Sequence, residues 1–295
     1  MLLIDCIEEK GWSAALARST SYFIDPLTFG SLCLSFGLMA LVLLSEKQTS
    51  KLRLVWYTLS MLCGFYLSIS SESRTGWLAV PIVLFLLLKV RLKINYFKTL
   101  ILGTVLIGIT SLSLFHSSEI VKNRFNQAVE DISSYQWRGG ENLTSVGERI
   151  SFIRMGWHLT MQKPMAGWAN IDFTPQLESP EFSKFAAPAT RLGVKAGGFH
   201  NEFLNNGVKY GILGFLFTLL LFLGPAVFFF KLLKIDPDNR YALLGLVYIA
   251  AQAVSALSYQ VLDFKFTASL YALMIVTLAY SALKDVNSQP TFNHK

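Results

Sequence analysis

Seven apolar runs divide this chain, at about 28–45, 54–70, 76–90, 99–115, 209–230, 241–258 and 266–283. Each is roughly 15–22 residues long, near the ~20 that a membrane-spanning helix requires. None alternates as a strand does, and only helices or closed barrels satisfy the backbone inside lipid. The pattern predicts an all-α fold, a polytopic membrane helix bundle of about seven spans. One long polar interruption, 116–207, separates the fourth run from the fifth. The chain so divides into 1–115, an N-terminal membrane region of about four spans; 116–207, a loop domain; and 208–295, a C-terminal membrane region of about three spans with a tail.

Helical periodicity returns inside the loop. Ser145-Val146-Gly147-Glu148 fits the S-x-x-E capping box that opens a helix. Ile150, Ile153, Trp157 and Met161 follow as one apolar stripe, with Arg149 and Arg154 off it. That helix should end before Lys163-Pro164, because Pro disfavours helix at the residue before it. Val121, Phe125, Val129 and Ile132 make a second stripe. Two such amphipathic helices either lie on the membrane, cover the spans, or simply pack as amphipathic helices do. Residues 165–200 read as irregular: Pro175, Pro180 and Pro188 break them, and Gly193, Gly197 and Gly198 loosen their end. Such a stretch is either a lid or binding loop or disordered.

Charge supplies the orientation. Lysine and arginine gather in 46–53 (Lys47, Lys51, Arg53), 89–98 (Lys89, Arg91, Lys93, Lys98), 231–240 (Lys231, Lys234, Arg240) and the tail from Lys284. These four segments belong on the cytoplasmic side. Segments 1–27, 71–75, 116–207 and 259–265 then lie outside. Met1–Lys10 lacks the basic start and apolar core of a signal peptide, so further helices are expected upstream of a chain that starts outside. The charged fraction of 15% against a hydrophobic fraction of 53% excludes an ordinary soluble domain, which carries about 25% charged residues. The net charge of +7 thus reads as an orientation signal, and no nucleic-acid partner is expected. Cys6, Cys33 and Cys63 give no disulfide framework.

The cores of the seven runs hold no Asp, Glu, Lys, Arg or His. Ion-coupled transport needs such groups at mid-membrane. Chemistry at the membrane surface fits better, with a flippase or a non-catalytic scaffold as readings of other classes. His200 is the candidate base. It follows Gly197-Gly198-Phe199 at the mouth of a span, and Asn201 and Glu202 follow it as possible support. An imidazole titrates near neutrality and suits proton abstraction; the alternative is a hydrogen-bonded interface histidine. Arg74 sits in an outer loop of about five residues, held at the membrane face. Its guanidinium can grip a phosphate bidentately, or pair with Glu72, or touch lipid headgroups. Arg18 precedes the first span, with Asp25-Pro26 before the helix. Arg149 stands in a first helical turn, where the dipole favours the opposite charge. Arg154 lies one turn on and could support it. Zinc, P-loop, dinucleotide and nucleophile-elbow motifs are absent, and no metal or cofactor is expected.

Together these residues resemble the O-antigen ligase and O-antigen polymerase family of bacterial membrane glycosyltransferases. The likeness rests on Ala17-Arg18 with Asp25-Pro26, on Ser73-Arg74-Thr75-Gly76-Trp77, and on Gly147-Glu148-Arg149 leading to Trp157. It continues through Lys163-Pro164-Met165-Ala166-Gly167-Trp168 to His200-Asn201-Glu202-Phe203-Leu204 and Gly211-Ile212-Leu213-Gly214. The resemblance implies a multi-pass protein of the bacterial inner membrane whose active site and large loop face the periplasm. It implies a donor glycan on undecaprenyl pyrophosphate and an acceptor that is lipid A–core for a ligase, or a lipid-linked repeat for a polymerase. It further implies metal-independent, inverting transfer, with Arg18, Arg74 and Arg149 on the pyrophosphate and His200 as base. Family members carry more spans upstream than this chain does.

Overall fold

A computed structural model describes residues 25–46, 50–71, 75–92, 98, 101, 103–105, 119–137, 142–168 and 171–288. Among them the secondary structure is helical throughout. In chain order the helices are α1 (Pro26–Leu44), α2 (Lys51–Ser70), a 3-10 turn (Thr75–Leu78), α3 (Ala79–Leu92), α4 (Glu119–Ser133) and α5 (Ser145–Gln162). They continue with α6 (Thr174–Leu177), α7 (Pro180–Ser183), α8 (Pro188–Gly197), α9 (Glu202–Ile235), α10 (Arg240–Ser255) and α11 (Lys265–Ser288). Four are long and apolar enough to cross a membrane: Pro26–Leu44, Lys51–Ser70, Glu202–Ile235 and Lys265–Val286. The expected runs at 76–90 and 241–258 are shorter apolar helices. The run at 99–115 lies almost wholly outside the described residues.

Two compact units divide the chain. The bundle unit draws on Met1–Gly103, Leu221–Ala256 and Val261–Lys295. At its centre α10 packs on α1, α3 and α11. Lipid offers no hydrophobic drive between helices, so small residues and polar pairs must hold them together. Both devices are present. The Gln252 side chain donates to Ser35 Oγ at 2.9 Å, and Ser31 Oγ donates to Ser255 Oγ at 2.8 Å, all four buried. Where α1 crosses α2, Gly37 and Gly64 let the backbones meet; a Cβ on Gly64 would sit 2.6 Å from Cys33 O. At one end of this unit Arg240 reaches Glu46 at 3.8 Å, and the Asn239 side chain donates to Ala282 O at 3.0 Å. The segments at 46, 240 and 282 therefore share an end, as the lysine and arginine count expects.

The loop unit comprises Thr104–Leu220 and Leu257–Gln260. Its core joins Phe152, Met155 and Leu159 of α5 to Trp168, Leu177, Phe182, Phe185, Val194, Phe199 and Val208. Three readings from sequence need correction here. Pro175, Pro180 and Pro188 do not break 165–200; each sits in the first turn of a helix, α6, α7 or α8, where the missing N–H costs nothing. The α5 cap is Thr144, whose side chain accepts from Gly147 N at 3.1 Å, so the helix starts one residue earlier than the Ser145 box implied. The stripe Ile153, Trp157 and Met161 is exposed, and the buried face carries Phe152, Met155 and Leu159 instead. The α5 helix does end at Gln162, ahead of Lys163-Pro164, as expected.

The turn after α5 docks on a break in α9. Gly211 has φ +67 and leaves the helical conformation. Ile212 N donates to Pro164 O at 2.7 Å and Trp168 N donates to Val208 O at 2.9 Å. These two bonds replace the bond that Ile212 N would give Val208 O in an unbroken helix. Gly167, at φ +64, has no room for a side chain: a Cβ would meet Lys209 O at 2.4 Å.

Two substitutions test this packing. Gly64→Ala forces α1 from α2 and should lower stability by about 1–3 kcal/mol, read as a fall in the thermal midpoint of detergent-solubilised protein. Gly167→Ala adds left-handed strain of about 1–3 kcal/mol to a backbone overlap, and should open the loop unit to limited proteolysis. Gly224→Ala is the control: a Cβ there meets nothing within 4 Å, so neither readout should worsen.

Candidate functional site

The head of α9 is assembled from three directions. Helix α8 ends at Gly197, and Gly198 caps it with φ +69. Only glycine fits there, because a Cβ would lie 2.6 Å from the Gln260 side-chain nitrogen and 2.7 Å from Asn205 Oδ1. Gln260 Nε2 donates to Gly197 O at 2.7 Å. Asn201 then caps α9: its Oδ1 accepts from Leu204 N at 2.9 Å, and its Nδ2 donates to Leu257 O at 3.2 Å. The connection after α10 and the end of the long loop thus meet at one place, as expected of two segments on the same side of a membrane.

His200 sits between these anchors, half-buried, with φ +47. Few non-glycine residues hold a left-handed backbone, and those that do must be held there by their surroundings. Its ring lies 5.4 Å from that of Phe152, tilted 35°. On the other side its Nε2 would lie 3.5 Å from a Cβ placed on Gly197. Glu202 is fully buried, and its Oε1 accepts from Asn206 Nδ2 at 2.8 Å. The same amide donates to Thr218 Oγ1 at 2.9 Å. Of the two support residues, Asn201 is therefore a helix cap and Glu202 a buried carboxylate tied along its own helix.

Arg149 is exposed on α5, three residues before Phe152. That spacing places neighbours on one helical face, so Arg149 stands one turn from the ring that contacts His200. One turn beyond Phe152, Gly156 accommodates Leu204; a Cβ at Gly156 would come within 2.6 Å of it. Arg154 faces elsewhere. Its guanidinium donates to Tyr135 OH at 3.1 Å and Trp137 O at 3.2 Å, and stacks 3.8 Å from the Phe185 ring centroid. Five residues from Arg149, it packs the loop unit rather than sharing Arg149's side. Arg18 and Arg74 lie outside the described residues.

Other residues of the unit escape a reading by sequence. Arg191 is only 8% exposed; it pairs with Glu178 at 3.5 Å and donates to Ser183 Oγ. Asp172 accepts from Thr174 N and Oγ1, and those bonds hold its carboxyl below the usual range. Gln260 and Phe152 belong to the site, yet nothing local in sequence marks either of them. Among the described residues no group of three His, Cys, Asp or Glu side chains gathers at metal-ligand spacing.

Beside this polar head runs an apolar groove of about 550 Å³. Ile153, Trp157 and Met161 of α5 form one wall, Phe203, Phe215 and Leu219 of α9 the other, and Asn201 stands within it. The exposed stripe of α5 thus has a use that ordinary core packing does not give it. The arrangement brings together a half-buried imidazole against the Phe152 ring, a cation one helical turn from Phe152, and an apolar groove lined in part by Asn201.

Over 185 residues the chain is 28% identical to an uncharacterized protein of Haemophilus influenzae, an alignment covering 61% of this chain and 45% of that relative. The chain therefore spans less than half the length of that protein. The pattern that defines the O-antigen ligase family matches residues 57–219, more than half of the chain and including α5, the docked turn and the head of α9. The chain belongs to the O-antigen ligase family.

Proposed function

We propose that this protein is a glycosyltransferase of the bacterial inner membrane, moving a glycan from undecaprenyl pyrophosphate to a hydroxyl of lipid A–core at the periplasmic face. The observation that carries the reading is His200, in a left-handed conformation at the head of α9 and followed directly by Asn201, which lines an apolar groove. A lipid-linked donor needs both features at once: hydrocarbon must be sheltered, and the reacting sugar must meet polar groups.

In this mechanism His200 removes the proton of the acceptor hydroxyl. The oxygen attacks the anomeric carbon, the bond from that carbon to the pyrophosphate oxygen breaks, and undecaprenyl pyrophosphate leaves with the bonding electrons. A single displacement inverts the anomeric configuration. The departing group gains negative charge, which Arg149 meets from α5; Arg18 and Arg74 are proposed as its companions. One preorganised donor to developing charge contributes a few kcal/mol, and general-base assistance about 10²–10⁴ in rate. No step requires a metal or cofactor. A polymerase would run the same chemistry with a lipid-linked repeat as acceptor. A flippase would need an open polar path, whereas the buried Gln252, Ser35, Ser31 and Ser255 of the bundle unit are bonded to one another.

Two variants test the assignment in proteoliposomes supplied with lipid-linked donor and, separately, lipid A–core or a second lipid-linked repeat. His200→Asn keeps a residue that tolerates the left-handed backbone but removes the base. Transfer should fall about 10²–10⁴-fold with unchanged thermal stability; transfer at the wild-type rate refutes the role of His200. Arg74→Lys keeps the charge but loses the bidentate fork, so donor use should drop at least tenfold, and an unaffected donor KM and kcat would remove Arg74 from the site. The acceptor that supports product formation separates ligase from polymerase.

A further inference from the structure

Within the loop unit the two arms of α9 that meet at Gly211 fold against each other. Asn206 Nδ2 donates to Thr218 Oγ1 at 2.9 Å, whereas an unbroken helix would hold residues twelve apart at about 18 Å. The Phe203 and Phe215 rings lie 6.0 Å apart. A Cβ on Gly214 would come 2.3 Å from Asn206 O. The chain therefore reverses at Gly211, and the arm 202–210 runs back beside the first turns of the arm that follows. Helix α5 keeps company with the first arm along its length. Phe152 meets His200, Gly156 meets Leu204, and Thr160 Oγ1 lies 3.6 Å from a Cβ placed on Gly207. At the reversal itself Ile212 N donates to Pro164 O.

The sequence of the second arm sets its depth. From Ile212 to Phe230 every residue is apolar, Gly or Pro except Thr218, and Lys231 follows. Those nineteen residues reach about 28 Å, against a hydrocarbon core of ~30 Å. The run has no length to spare, so Ile212 stands at the border opposite Lys231. Lys209 and Tyr210 directly precede Gly211, and Lys163 opens the docked turn; basic and aromatic residues of this kind anchor helices at a membrane–water border. Phe215 and Leu219 then lie about 5 and 10 Å inside that border. Across the groove they face Ile153, Trp157 and Met161, all exposed. Charged and polar neighbours on α5 turn to protein instead: Arg154 to Tyr135 and Trp137, His158 to Glu181 at 3.1 Å. A helix row facing water is ordinarily polar. This one continues the apolar surface of a membrane-spanning arm, at the same depth.

We propose that α5 and the first arm of α9 enter the extracytoplasmic leaflet together, and that lipid hydrocarbon covers the row Ile153, Trp157 and Met161. The groove then opens sideways into the bilayer, so a lipid chain can enter it without crossing water. Two measurements on the full chain in phosphatidylcholine vesicles test this, and neither depends on transfer activity. The first uses spin labels on single cysteines, with the chain's own cysteines replaced by alanine. Phe217→Cys, exposed on the second arm, is the hydrocarbon reference, and Lys184→Cys, at an exposed cation, is the aqueous one. Labels at Trp157→Cys and Met161→Cys should be relaxed by oxygen in preference to nickel–EDDA, as at residue 217 and unlike residue 184. The second needs no label: dibrominated phosphatidylcholine should quench the tryptophan emission of wild type more than that of Trp157→Phe. Nickel-dominated relaxation at 157 and 161 would put the row in water. Labels shielded from both agents would mean that a protein surface covers it. Either result, or equal quenching of wild type and Trp157→Phe, would overturn the proposal.

Discussion

A helix can break at membrane depth or beside it only where other groups take up the backbone bonds it gives up. In α9 the break falls at Gly211, and Pro164 and Trp168 supply the two bonds that Val208 and Ile212 need. A buried backbone group left unpaired costs about 1–3 kcal/mol, so the turn after α5 and the break in α9 stabilise each other. Neither would persist alone. The turn is locked further by Trp168, whose indole N–H donates to Leu159 O at 2.9 Å while the Lys163 ammonium lies 4.1 Å from the ring centroid. With α5 and the head of α9 fixed as one piece, Phe152 meets His200 and Gly156 meets Leu204. The site therefore inherits its geometry from a backbone exchange that involves no candidate catalytic side chain.

That exchange also marks the limit of what sequence can show. Lys163-Pro164-Met165-Ala166-Gly167-Trp168 and Gly211-Ile212-Leu213-Gly214 were both conspicuous, but no periodicity says that two glycines more than forty residues apart will touch. Elements set by local chemistry were legible: Asp25 caps α1 by accepting from Leu27 N and Thr28 N, and α5 stops before Pro164. Prolines misled because the same residue that ends a helix also begins one, and only the following residues decide. The α5 stripe misled for a different reason. With Phe152, Met155 and Leu159 on one face and Ile153, Trp157 and Met161 on another, the helix is apolar on two sides, and a period alone does not say which side is buried. Nothing near Arg191 in sequence marks its burial, because its partner Glu178 stands at the C-terminal cap of a separate short helix.

Which connections share an end was the most readable property. Counting lysine and arginine placed 46–53, 89–98 and 231–240 together, and Arg240 with Glu46, then Lys89 with Lys234, bear out that grouping within the bundle unit. The same count placed 116–207 with 259–265, and Gln260 donates to Gly197 O while Asn201 donates to Leu257 O. These are independent contacts at two sets of connections. Charge counting works here because it depends on how the chain inserts, not on how its helices later pack.

His200 itself shows how a position can be informative beyond its chemistry. A left-handed backbone costs a residue with a Cβ on the order of 1–3 kcal/mol, and glycine at the same place would avoid it. Two glycines already precede His200, so the chain has the means to relax the turn and does not use them at this position. The strain is instead held by Gln260 and Asn205 packed against Gly198, by Phe152 against the imidazole, and by the Asn201 cap. In the role proposed for His200, a ring nitrogen held in one orientation towards a substrate oxygen has less reorganisation to undergo in the transition state.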